Sequence, residues 1–148
     1  MLDELVSNEL KRDNEITEIS KDTIEKLIQA LLRLRRKYSD ELHKEELKIY
    51  EELAESLLEL RLEKVIEGFE PKGFDKDVLS LVNVMKKVYI DYVTGKYHTY
   101  KGKVLCLSNT KFSLGNTVVE QGDVIILPLS KVLALITTNY ITPVEVRE

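Results

Sequence analysis

The feature that most constrains this chain is a single change of hydrophobic period. Up to about Tyr92 the apolar residues recur at helical spacing, and after Lys103 they come in short, partly β-branched runs broken by Gly and Asn. Such a chain folds as helices followed by strands. The expected class is α+β, with an N-terminal α-helical domain of about four to five helices over residues 1–92, a linker over 93–103 and a small β-rich domain over 104–148. A module of about 45 residues lies near the lower limit for independent folding, so the β-rich part is expected to lean on something else.

The helical part reads as follows. Leu2 to Lys11 is a short helix with Leu2, Leu5, Val6 and Leu10 inward, followed by a polar break at Asp13–Glu15. Asp22 and Glu25 have capping-box spacing ahead of a stripe of Ile24, Leu27, Ile28, Leu31, Leu34 and Tyr38. Arg33, Arg35, Arg36 and Lys37 then complement the C-terminal dipole of that helix or contact a phosphate or partner.

The next helix, from Asp40 to Glu67, carries two stripes. One is Ile49 or Tyr50, Leu53, Leu57 and Leu60, and the other is Leu58, Leu62, Val65, Ile66 and Phe69. A surface helix needs one apolar face. Two faces mean a helix central in its own domain or shared with another chain, and a small helical region favours a partner. Gly68 suits the C-cap, Asp75 the next N-cap, and Phe74 a hydrophobic staple. Val78, Leu81, Val82, Met85, Val88, Tyr89 and Tyr92 form the cleanest stripe.

Residues 93–103 carry two glycines and no apolar period, which places them outside regular structure. In the last segment, strands are expected over Lys103–Leu107, around Phe112, over Thr117–Glu120 and over Val124–Leu127. Ser130 should cap a short helix ended by Asn139, and a last strand should run over Tyr140–Val146.

Hydrophobic residues are 43% and charged residues 32% of the chain, and the net charge is −4. That is globular composition without the basic excess of a dedicated nucleic-acid binder. Cys106 is the single cysteine, so no internal disulfide or thiolate metal cluster forms. His43 and His98, the only histidines, have no metal-ligand spacing, so neither metal nor cofactor is expected. Phosphate loops and a nucleophile elbow are absent, and no catalytic residue is assigned. No apolar run approaches membrane-spanning length, and a cytoplasmic, nucleoid-associated protein is expected. Lys96, Tyr97, His98, Tyr100, Lys101 and Lys103 mix cations with aromatics. They read either as a solvated hinge whose tyrosines pack on a neighbour, or as a stacking groove for single-stranded nucleic acid.

Ile49-Tyr50-Glu51-Glu52-Leu53 and Leu60-Arg61-Leu62-Glu63-Lys64-Val65-Ile66 are similar to the Tyr-x-x-Leu … Leu-Arg-x-x-Lys-hydrophobic pattern of the GINS family. Gly122-Asp123-Val124-Ile125-Ile126-Leu127-Pro128, with Ala134, Leu135-Ile136 and Tyr140-Ile141-Thr142-Pro143-Val144, is similar to its Gly-Asp-hydrophobic … Leu-Pro … Ala-x-x-Leu ending. Asn139 departs from the pattern, standing where family members often have glycine.

The helix-first order resembles the archaeal subunit related to the Sld-five and Psf-one type. The resemblance implies a non-enzymatic scaffold of DNA replication, in a tetramer of two helix-first and two β-first GINS subunits. That tetramer bridges and activates the MCM helicase with a RecJ-like (Cdc-forty-five-like) protein, with primase as a further partner and DNA contact indirect or weak. Tyr50, Leu53, Leu58, Leu62, Val65, Ile66 and Phe69 would face a neighbouring subunit, with Arg61 and Lys64 as ion-pair donors beside them. Tyr97, Tyr100 and Tyr140 would dock partners from the linker and β-rich domain.

Overall fold

The computed structural model describes residues 1–37 and 40–147. The expected stripe residue Tyr38 therefore lies outside the described residues. Helices α1 (Leu2–Lys11), α2 (Lys21–Lys37), α3 (Glu41–Ile66) and α4 (Lys76–Val93) precede a β-rich segment. That segment runs β1 (Thr99–Tyr100), β2 (Lys103–Ser108), β3 (Phe112–Leu114), β4 (Thr117–Val119), β5 (Val124–Leu127), α5 (Leu129–Ile136) and β6 (Ile141–Pro143). The α+β class is as expected. The chain forms two compact units, Met1–Asn83 and Val84–Glu148, so the division falls inside α4 and not after Tyr92.

In the first unit, α1 buries Leu2 and half-buries Leu5 and Val6. The expected inward Leu10 is exposed and Glu9 is buried in its stead. Positions 2, 5, 6 and 9 make the tighter helical stripe, and the helix twist turns position 10 outward. Helix α2 is capped earlier than expected. The Ser20 hydroxyl accepts the Thr23 N–H at 3.1 Å, while Asp22 sits within the first turn and pairs with Lys26 at 3.1 Å.

Helix α3 is capped at both ends. The Asp40 carboxylate accepts the His43 N–H at 2.9 Å. At the other end, Gly68 (φ 108°) donates to the Val65 carbonyl, and Phe69 to that of Lys64, each at 3.0 Å. This is a Schellman stop, which needs the left-handed residue that glycine supplies without strain.

Both stripes of α3 find cover within the chain. Tyr50, Leu53 and Leu57 pack with Leu2, Ile19, Leu27 and Phe74, while Leu62, Val65 and Phe69 pack with Ile16, Leu79 and Val82. The hydrophobic pattern had pointed Leu62, Val65 and Phe69 at another chain. The segment after α1 and the start of α4 supply the cover that so small a region seemed unable to provide. Leu58 and Ile66 remain exposed. Gly73 (φ 100°) makes a close approach, since a Cβ there would lie 2.9 Å from the backbone N and O of Ile19.

Helix α4 differs from its expected face. Val78, Leu81, Met85 and Tyr89 are exposed, whereas Leu79 and Val82 in the first unit and Val88 and Tyr92 in the second point inward. The helix is apolar nearly all round, so periodicity alone does not choose its inner side.

In the second unit, β2 is the central strand. It pairs antiparallel with β5 on one side, and with β1 and then β6 along the other. Val104, Cys106, Leu127, Val132 and Ile141 form one apolar core with Val88, and β3 and β4 make a separate hairpin. The expected linker is not irregular. Tyr97 is buried and bridges to Glu145, Thr99–Tyr100 is β1, and the His98 N–H donates to the Val144 carbonyl at 2.9 Å. Backbone bonds carry this edge, so it leaves no hydrophobic period to read.

Helix α5 starts from Pro128, and Ser130 lies within it without capping. Asn139 takes φ 61° and donates to the Ile136 carbonyl, and Tyr140 donates to that of Leu135. The position often held by glycine is thus a left-handed helix stop, which asparagine tolerates.

Candidate protein–protein interface and its internal support

Arg61 and Lys64 lie one turn apart on α3, and both are buried. Facing them is Glu9, also 0% exposed, from the last turns of α1. Lys64 Nζ donates to Glu9 Oε1 at 2.9 Å and to the backbone carbonyls of Glu9 (2.7 Å), Arg12 (2.7 Å) and Glu15 (2.8 Å). A cation thus closes the carbonyl end of α1, where the helix dipole favours positive charge.

Arg61 binds three segments. Its Nη1 reaches Glu9 Oε2 at 3.1 Å and the Thr17 carbonyl at 2.7 Å. Nη2 reaches the Lys72 carbonyl at 2.7 Å, and Nε with Nη2 holds the Asp75 carboxylate bidentately at 2.8 and 2.6 Å. Thr17 completes the shell by donating its N–H and hydroxyl to Glu9.

Two cations thus meet two carboxylates, and among the described residues no buried side-chain N or O lacks a partner. Burial pushes the Glu9 carboxyl up. The Thr17 and Lys64 hydrogen bonds, with the charges of Arg61 and Lys64, more than offset this and hold it below its ordinary value. The family resemblance implied Arg61 and Lys64 as ion-pair donors at a subunit boundary, but their donors are occupied within the chain. Asp75, expected as a helix cap, gives its carboxylate to Arg61.

Beside this network a groove of about 450 Å3 opens between α2 and α3. Ile24, Leu27 and Leu31 line one wall, Tyr50, Ala54, Leu57 and Leu58 the other, and Arg61 and Asp75 also border it. The Arg35–Glu51 ion pair, at 2.9 Å, also lines it, and Ile28 on the same groove is exposed. Tyr50 and Leu58 are thus brought to the groove, Leu53 packs in the adjoining apolar cluster, and Ile66 is exposed elsewhere on α3.

Of the expected docking tyrosines, Tyr100 and Tyr140 are exposed, Tyr140 stacking on Phe112 at 5.3 Å, and Tyr97 is buried. That burial, and the ion pairs of Lys96 with Asp91 (3.9 Å) and Glu145 (3.8 Å), break up the cation–aromatic run considered for nucleic acid. Burial raises the Cys106 thiol to about 11, far from a reactive thiolate. Among the described residues no group of His, Cys, Asp and Glu is arranged to hold a metal, and no helix is long and apolar enough to cross a membrane.

A charge-balanced, fully satisfied ion network thus lies beside an apolar groove in the helical unit. The comparison with protein families supplies the class. Residues 1–75 match the N-terminal domain, and residues 95–145 the C-terminal domain, of the Gins15 subunit of the GINS complex. The chain belongs to this GINS subunit family, whose members are non-catalytic scaffolds of DNA replication. No curated protein and no solved structure matches it.

Proposed function

We propose that the chain assembles with a β-first GINS subunit into a tetramer of two copies of each, through the α2–α3 groove, and that the β-rich unit docks replication partners. Membership of a GINS complex implies other GINS subunits. The observation that carries the finer reading is the groove itself, an apolar channel of about 450 Å3 left open within the helical unit. Leu58 and Tyr50 stay in the proposed contact set, with Ile28 added, and Leu53 supports them from the adjoining cluster. Ile66 is a second exposed contact. Leu62, Val65, Phe69, Arg61 and Lys64 act from beneath, holding the surface in shape. The family resemblance extends the reading to the MCM helicase, the RecJ-like protein and primase.

Co-expression with a β-first subunit tests it. Ile28→Asp with Leu58→Asp places charges on the exposed groove without touching the ion network. This variant should lose co-purification while keeping wild-type helicity by circular dichroism. Undiminished assembly of this variant would overturn the groove as the contact.

A further inference from the structure

The sheet of the second unit is unequally protected at its two edges. On one side β2 is covered by β1 and β6 in turn, while β5 on the other side pairs only with β2. The Ser108 N–H donates to the Asp123 carbonyl at 2.8 Å, so Ser108/Asp123, Cys106/Ile125 and Val104/Leu127 are the hydrogen-bonded pairs of this ladder. Alternation then turns the N–H and C=O groups of Val124 and Ile126 away from β2. Among the described residues no other backbone group meets them. Their side chains are 60% and 43% exposed and continue the outer sheet face of Leu105 and Leu107, the latter 41% exposed. The strand carries no charge, proline or bulge of the kind that protects exposed edges.

We propose that the free edge of β5 receives an extended segment of a protein partner, which adds a strand to this sheet. This rests on reading the β-rich unit as a docking module. The edge specifies its occupant. Asp123 stands at its start, beside Glu120, which pairs with Lys111 at 3.6 Å, whereas Lys103, in no ion pair among the described residues, stands at its end. The matching segment alternates apolar residues between a cation, placed near Asp123, and a carboxylate, placed near Lys103. A four-residue strand offers only about 13 Å of edge. A stable self-standing dimer buries roughly 1,600 Å2, so a second copy is not held by this edge alone. The occupant is a segment of a chain already tethered to the assembly.

The test uses the full chain and a short fluorescein-labelled probe peptide alternating valine and threonine between a terminal lysine and a terminal glutamate. The probe should bind, slowing amide exchange at Val124 and Ile126 while leaving Ile125 and Leu127 unchanged. N-methylation of alternate peptide amides should abolish binding, and Val124→Lys should weaken it about tenfold. The proposal is overturned if the probe does not bind, or if the N-methylated probe binds as well as the parent. It is equally overturned if Val124 and Ile126 are already protected in the free chain, with concentration-dependent protection identifying a second copy. Co-purification of Val124→Lys with the β-first subunit reads the helical groove separately, so failure of one reading is distinguishable from failure of the other.

Discussion

The two units are held together by different physics. The second unit has one continuous apolar core running from Val88 through Val104, Cys106 and Val132 to Ile141. The first has two smaller apolar clusters, one around Leu27 and Leu57 and the other around Ile16, Val65 and Leu79, together with the Glu9–Arg61–Lys64–Asp75 network. An apolar core tolerates small changes of volume. A buried ion network tolerates little, because removing one member leaves a buried charge short of a partner. The helical unit should therefore be brittle to single changes of charge and the β-rich unit forgiving of single methylene losses.

The largest effect expected is from Arg61→Leu, which strands the Asp75 carboxylate without a cation and leaves Glu9 with Lys64 as its only one. It should cost about 3–5 kcal/mol in urea unfolding. A cost under about 1 kcal/mol would remove the contrast between the units.

Gly73→Ala comes next. It combines a left-handed φ with a clash against the Ile19 backbone, and should cost about 2 kcal/mol in the same measurement. Ile141→Val, in the apolar core, should cost only about 1 kcal/mol.

Acid should loosen the helical unit through Glu9. The folded-state pKa of Glu9 lies below its ordinary value of 4.5, so the unfolded chain binds more protons in that window. The resulting stability is fully present above the ordinary value and is lost as pH falls through the depressed one. Protection of the α1 amides, taken relative to intrinsic exchange rates, should fall through that window. Glu9→Gln should flatten the acid response of α1, leaving exchange in β2 and β5 as in wild type.

The local signals proved the most legible in the sequence. Asp40, Gly68 and the helical period fix α3, and the Val124–Leu127 run fixes β5. What escaped is non-local. Nothing near Glu9 in sequence announces Arg61 or Lys64, yet a signal existed: Glu9 occupies the fourth position of the stripe begun by Leu2, Leu5 and Val6. A carboxylate on an inner stripe needs buried cations, and Arg61 and Lys64 sit among the inner residues of α3 at one-turn spacing. Placing that pair beside a partner followed from the family resemblance, and turning Leu62, Val65 and Phe69 to another chain followed from undercounting the cover that the chain itself supplies. Helix α4 misled for the opposite reason, since apolar residues on nearly every side leave the choice of inner face to packing. The groove could not be read from periodicity, because it is a space left between two helices whose stripes were each read correctly in part.

The proposed cover of the helical unit by another GINS subunit is open to native mass spectrometry of the wild-type chain co-expressed with a β-first subunit. One species containing two copies of each chain is expected. A wild-type chain that stays a soluble monomer beside its uncomplexed partner would contradict it.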